Sequence, residues 1–238
     1  MRGILGPAIQ TAAVFTCAAS LFGQTPEQAL FERERAAMVD LIEFRGVSDS
    51  ATLAALRSVP RHEFVPPQDR RRAYGDFPMP IGHGQTISQP YIVAYMTEIL
   101  QPKPGMKVLE VGTGSGYQAA VLAEIGCAVH TIEIFQVLAN SARERLDRLG
   151  FTVQSRHGDG HHGWPESAPF DAIIVTAAAG YIPPELVRQL KPDGSMVIPV
   201  GSVYGIQNLI LVEKNLDGTV RTRNLMPVRF VPMLSGIR

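Results

Sequence analysis

Three glycines at alternate positions, Gly112, Gly114 and Gly116, follow an apolar run that ends at Glu110 and Val111. Glycine takes backbone angles closed to other residues and carries no Cβ, so such a loop turns sharply and lets a ligand lie against the main chain. The spacing suggests a nucleotide-like molecule over the start of the helix that follows. Glu110 stands inside the strand end, and a second acid, Glu133, stands 23 positions on, at the end of the next predicted strand. A carboxylate there can accept from both hydroxyls of a ribose. In Gly158-Asp159-Gly160, after the third strand, Asp159 is presented toward the same crevice, where it can accept from an exocyclic amine such as that of adenine. An ordinary Asp-Gly turn is the competing account of Asp159 taken alone.

A dinucleotide fingerprint requires G-x-G-x-x-G, whereas Tyr117 occupies the third-glycine place here and the spacing is G-x-G-x-G. Upstream, IGHGQTISQPY at 81–91 is rich in glycine and hydroxyl side chains and precedes an apolar helix. A loop that feeds amides and hydroxyls toward a helix start suits a carboxylate or another anion. Ser88, within it, can also be read as the N-cap of that helix. His157, His161 and His162 invite zinc, but zinc needs three or four convergent ligands, and no Cys or second His cluster completes the set, so no metal is expected. The run Arg70 to Arg72 is read as a solvated face. The chain shows no Ser-His-Asp order and no reactive-cysteine signature.

These residues need elements to hold them. Amphipathic spacing predicts helices over 26–46 and 49–58, followed by an irregular, proline-rich stretch at 61–80 and a helix at 92–100. From Lys107 the rhythm alternates, with strands at 108–111, 128–133, 152–156, 172–176, 195–200, 208–214 and 225–230, and helices at 117–125, 135–149 and 183–190. That alternation predicts an α/β fold, a doubly wound, mainly parallel seven-stranded sheet covered by helices on both faces. The last two strands, separated by 215–224 with its Asp217-Gly218 turn signal, read as an antiparallel hairpin at the sheet edge.

At 238 residues the chain fits one domain with a sizeable core. Lysine plus arginine and aspartate plus glutamate both number 22, so no global basic field draws the protein to nucleic acid. The first 24 residues combine Arg2, a mostly apolar Ile4 to Phe22 and small residues at Ala18 and Ser20, a layout that resembles a secretory signal peptide. Nothing later is long and apolar enough to span a membrane. If the segment is removed, Cys17 goes with it and Cys127 has no partner for an intramolecular disulfide. The expected organisation is an extension at 1–24 and one domain at 25–238, with N-terminal helices and a substrate loop at 25–104 and a cofactor-binding sheet at 105–238.

The pattern acid-x-Gly-x-Gly-x-Gly with its second acid resembles the S-adenosylmethionine motif of class I methyltransferases, whose fold is Rossmann-like. PRHEFVP, AYGDFPMPIGHGQTISQPYIVAYMTEIL, VLEVGTGSGYQAAVLA, GDGHHGW, PFDAIIVTAAA and PVRFVP together resemble the protein-L-isoaspartate O-methyltransferase family, from about Met38 to Pro232. The resemblance implies S-adenosyl-L-methionine as cofactor, held by Glu110, Gly112, Gly114, Gly116, Glu133, Asp159 and Gly160. It implies methyl transfer to the α-carboxylate of L-isoaspartyl residues in damaged proteins and peptides, with Ser88 aiming the carboxylate and Thr86 and the Ile87 backbone assisting. A carboxylate of this kind has a pKa of roughly 3.5, so it is already a nucleophile at neutral pH and needs no general base. Another carboxylate substrate, or cofactor binding without turnover, are the alternatives. The protein is expected to act as a monomer without nucleic acid or stable membrane contact. The leader implies the periplasm, whereas the family is usually cytoplasmic.

Overall fold

The computed structural model describes residues 25–202 and 204–236. The apparent export segment, with Arg2 and Cys17, lies outside the described residues.

Helix α1, Pro26–Phe44, starts where the sequence provides a reciprocal cap: the Thr25 hydroxyl accepts from the Gln28 amide and the Gln28 side chain from the Thr25 amide. Helix α2, Ser50–Ser58, is capped by Asp49, which accepts from the Thr52 amide at 2.7 Å. The stretch expected to be irregular holds two 3-10 turns, Arg61–Phe64 and Pro67–Arg72. A small antiparallel hairpin follows, β1 at Met79–Gly82 and β2 at Gln85–Ile87, with Met79 opposite Ile87. A hairpin thus stands where a loop is expected, since Pro80, Gly82 and Gly84 are poor strand formers and hide it. Helix α3, Pro90–Leu100, opens with proline in its first turn.

The remainder alternates as expected: β3 Lys107–Val111, α4 Tyr117–Glu124, β4 Ala128–Glu133, α5 Gln136–Arg148, β5 Val153–His157, β6 Phe170–Val175, α6 Pro184–Gln189, β7 Leu190–Gly201, β8 Gln207–Lys214 and β9 Val220–Val228. The seven-stranded sheet runs β5-β4-β3-β6-β7-β8-β9, parallel through β7 and antiparallel from β7 to β8 and β8 to β9. Two strands start well before their expected positions. β9 starts at Val220, not near residue 225, because Val220 to Asn224 are solvent-facing on an edge strand and show no buried alternation. β7 starts at Leu190 and passes through a register shift against β6 before Ser195, with Asp193 at φ 62°.

Side chains of β3 and β6 alternate between two apolar layers, as the pleat requires. Val108, Ala172 and Ile174 join the layer that also contains Phe31, Ile42 and Leu56 from the N-terminal helices. Leu109, Ile173 and Val175 pack on the other face with Leu186 and Ile198. The N-terminal helices therefore share one core with the sheet, and the β2–α3 junction is fixed beside the C-terminal ends of β3 and β6. Those two strands flank the point where the strand order reverses, the place where open α/β sheets bind ligands.

Candidate active site

The glycine loop leaves β3 with Gly112, Gly114 and Gly116 at φ 102°, 50° and 87°. At Gly112 a Cβ would stand 2.5 Å from Thr176 Oγ1, so both the angle and the space require glycine. Glu133 closes the loop from the neighbouring strand: its Oε2 accepts from the Gly114 amide at 2.8 Å and its Oε1 from the Phe135 amide at 3.0 Å. Each oxygen retains accepting capacity toward the cavity.

Glu110 is fully buried. Thr113 and Thr131 hydroxyls lie 2.6 Å apart, and Thr131 donates to Glu110 Oε2. Oε1 has no partner. Burial pushes the Glu110 carboxyl up to about 8, opposed by the Thr131 hydrogen bond and reinforced by the Glu133 charge.

A cavity gathers most of the residues singled out in the sequence. Glu110, Gly112, Gly114, Glu133 and Gly160 form one side, and Thr86, Ile87 and Ser88 another. Among the described residues no lysine, arginine or histidine lines it. Gly116 stands behind it, starting α4 against Leu146. Asp159 stands beside it, accepting from the His161 amide and ring Nδ1, each at 2.9 Å, and from the Gly236 amide at 2.9 Å. Partial burial would raise its carboxyl, but these hydrogen bonds outweigh that and lower it. Asp159 thus ties the tail to the turn that presents Gly160.

The tail, which begins at the end of PVRFVP, also forms part of the site. Val231, Pro232, Met233 and Leu234 line the cavity. The Ala178 amide donates to Val231 O at 2.8 Å and the Met233 amide to Ala178 O at 2.7 Å. An apolar stretch just past the hairpin was the available signal. Thr113, Thr131 and Thr176 were missed, since a threonine in or beside a buried strand reads as ordinary β-propensity.

A second cavity adjoins the first, walled by Arg45, Tyr91 and the segment Met226 to Phe230. Among the described residues, Thr86 and Ser88 line both. Ser88 does not cap α3: the cap position belongs to Gln89, which makes no side-chain cap bond. The Ser88 carbonyl accepts from Arg61 Nη2 at 2.7 Å, and its hydroxyl bonds to none of the described residues.

The three histidines are spread apart in role. His157 Nε2 lies 3.0 Å from Ile134 O, His161 sits on Asp159, and His162 is exposed. Among the described residues no group of three His, Cys, Asp or Glu side chains is arranged to hold a metal. Cys127 is buried and free, and burial pushes its thiol up to about 11. Among the described residues no helix is long and apolar enough to cross a membrane.

The family model described as Protein-L-isoaspartate(D-aspartate) O-methyltransferase (PCMT) matches residues 32–238. Protein-L-isoaspartate O-methyltransferase 2 of Polaromonas sp. strain JS666 is 62% identical over 186 residues, 78% of this chain and 88% of the relative. Protein-L-isoaspartate O-methyltransferase 1 of Cupriavidus necator is 54% identical over 213 residues, 88% of this chain and 82% of the relative. A solved protein-L-isoaspartate O-methyltransferase superposes with a TM-score of 0.76 at 29% identity, covering 85% of this chain and 66% of that one. Another, from Plasmodium falciparum in complex with S-adenosyl-L-homocysteine, gives a TM-score of 0.73 at 27% identity, covering 84% and 98%.

Proposed function

The chain belongs to the protein-L-isoaspartate(D-aspartate) O-methyltransferase family, and from that premise we propose that Ser88 is the residue across which its methyl transfer takes place. The enzyme methylates the α-carboxylate of L-isoaspartyl residues in damaged proteins, with S-adenosylmethionine as cofactor. Bound in the first cavity, the cofactor supplies an electrophilic methyl on a sulfonium cation.

The cavity fits such a group. Among the described residues its walls carry the carboxyls of Glu110 and Glu133 and no cation, which suits a positively charged ligand and opposes the phosphates of a dinucleotide. Glu110 Oε1, buried and unpartnered, faces a ligand that can donate to it or neutralise it. Glu133 holds the loop and offers its remaining lone pairs to a ribose. The Val231 to Leu234 tail covers the site and excludes water. In this reading Asp159 acts beside the cofactor, by fixing Gly160 and the tail.

The observation that carries the role of Ser88 is that it and Thr86 line both cavities. A carboxylate in the second cavity is held by the Ser88 hydroxyl, with Thr86 and the Ile87 backbone beside it, and aimed into the first. Since the nucleophile is already ionised, the protein supplies position and no proton transfer. Alignment at roughly 3 to 3.5 Å can contribute several kcal/mol by itself.

Incubation with labelled S-adenosylmethionine and an isoaspartyl peptide beside its aspartyl twin tests the whole. A base-labile label on the isoaspartyl peptide alone is expected. Equal labelling of both, or none, contradicts it.

The segment at 1–24 is proposed as an export signal, on the strength of Arg2 and the apolar run to Phe22. The mature enzyme then acts in the periplasm as a monomer, without nucleic acid. N-terminal sequencing of the mature protein from fractionated cells is expected to find a start near residue 25, and an intact Met1-Arg2 start in the cytosol contradicts export.

A further inference from the structure

Two stretches singled out in the sequence, PRHEFVP and AYGDFPMP, each send one charged side chain to the residues around Ser88. We propose that Asp76 and Arg61 form a two-sided brace that sets the direction of the Ser88 hydroxyl, so that both are positioning residues for methyl transfer. The inference rests on the role of Ser88 given above.

Asp76 works from the C-terminal side. Its Oδ1 accepts from the Tyr91 amide at 2.9 Å, and its Oδ2 accepts from Gln89 Nε2 at 2.9 Å and from the Arg45 guanidinium. Gln89 Nε2 also donates to the Asp76 carbonyl at 3.1 Å. Helix α3 has no cap of its own at Gln89, so an acid 15 positions upstream satisfies its first turn. The side chain is 10% exposed, which protects these bonds from water.

Arg61 works from the other side. It is fully buried, donates from Nε to Ala73 O at 2.8 Å and from Nη2 to Ser88 O at 2.7 Å. Its guanidinium lies 4.7 Å from the ring centroid of Tyr117, which starts α4 and lines the cofactor cavity. A buried charge held by two carbonyls and one aromatic face is an expensive way to fill space. Its place is explained by what it holds.

Together with the Met79 to Ile87 pairing, these bonds fix the chain on both sides of Ser88. With the backbone held on either side, χ1 chooses the hydroxyl direction among staggered positions. Releasing either side lets the hydroxyl move relative to the cofactor cavity, and a shift of about 1 Å can cost on the order of 100-fold in rate.

The test is a double-mutant cycle on the full enzyme, with kcat, peptide KM, cofactor affinity and Tm read for each variant. Asp76→Ala is expected to lower kcat by about tenfold or more, and Arg61→Lys, which keeps charge but not both bonds, by a smaller factor. Cofactor affinity should stay within about twofold. In the Ser88→Ala background the same substitutions should cost less than about twofold in kcat, because they act through the hydroxyl that is gone. If Asp76→Ala fails to fold, the isosteric Asp76→Asn carries the cycle, with a loss of several-fold expected and the same disappearance without Ser88.

Two results overturn the brace while leaving Ser88 in place. In one, Ser88→Ala is crippled but the Asp76 and Arg61 variants lose only Tm. In the other, their kcat losses are as large without Ser88 as with it. A Ser88→Ala enzyme with full kcat instead removes the role of Ser88 and the brace with it.

Discussion

Oε2 of Glu133, at the end of β4, accepts a hydrogen bond from the Gly114 amide 2.8 Å away in the loop after β3. One carboxylate therefore performs two tasks, holding the glycine loop in shape and facing the cavity where a ribose would lie. Glu133→Ala should weaken binding of S-adenosylhomocysteine by about 10- to 100-fold, since hydrogen bonds to a charged group contribute about 1.5–3 kcal/mol. Calorimetry measures this. Affinity within twofold of the parent would remove Glu133 from the site.

Glu110 predicts a pH dependence. Its folded pKa, about 8, lies above its ordinary value of 4.5, so the folded protein binds more protons than the unfolded chain between these values. Stability is then full below pH 4.5 and declines as pH rises through 8. Denaturant unfolding from pH 5 to 8.5 should show that decline for the parent and a flatter curve for Glu110→Gln. Parallel curves would contradict it. A cationic ligand favours the ionised form, so cofactor binding at neutral pH should release protons, detectable as a buffer-dependent heat.

Gly112 and Gly46 share a φ of 102°, but only at Gly112 does a Cβ meet a neighbour, Thr176 Oγ1 at 2.5 Å. That hydroxyl donates to Gly112 O at 2.7 Å. Both alanine substitutions should lower Tm through backbone strain, on the order of 1–3 kcal/mol each. Only Gly112→Ala should also lose cofactor affinity, by tenfold or more, as the loop shifts off Thr176. Equal affinities for the two variants would show that the loop tolerates displacement.

The helices and the alternating strands were legible because their apolar spacing is local and the core uses it directly: the continuous apolar runs bury side chains on both faces of the sheet, Val108 and Ile174 on one and Leu109 and Ile173 on the other. Glu110, Glu133 and the glycines were legible because strand ends and spacing locate them. The brace was not. Asp76 reaches Tyr91 across 15 positions and Arg61 reaches Ser88 across 27, and no periodicity marks a contact made through tertiary folding. Edge positions such as Val220 to Asn224 were also hidden, since an exposed strand needs no apolar alternation. The tail at Val231 to Leu234 carries no spacing that marks it, and it meets the sheet only where it crosses Ala178.

The central claim is that the carboxylate is aimed from the second cavity into the first by Ser88, and steady-state kinetics of Ser88→Ala beside calorimetric cofactor affinity test it most directly. Loss of one hydrogen bond to an ionised group should lower kcat for an isoaspartyl peptide by about 10- to 100-fold, with cofactor affinity within twofold of the parent. An unchanged kcat, or a loss confined to cofactor affinity, would contradict the account.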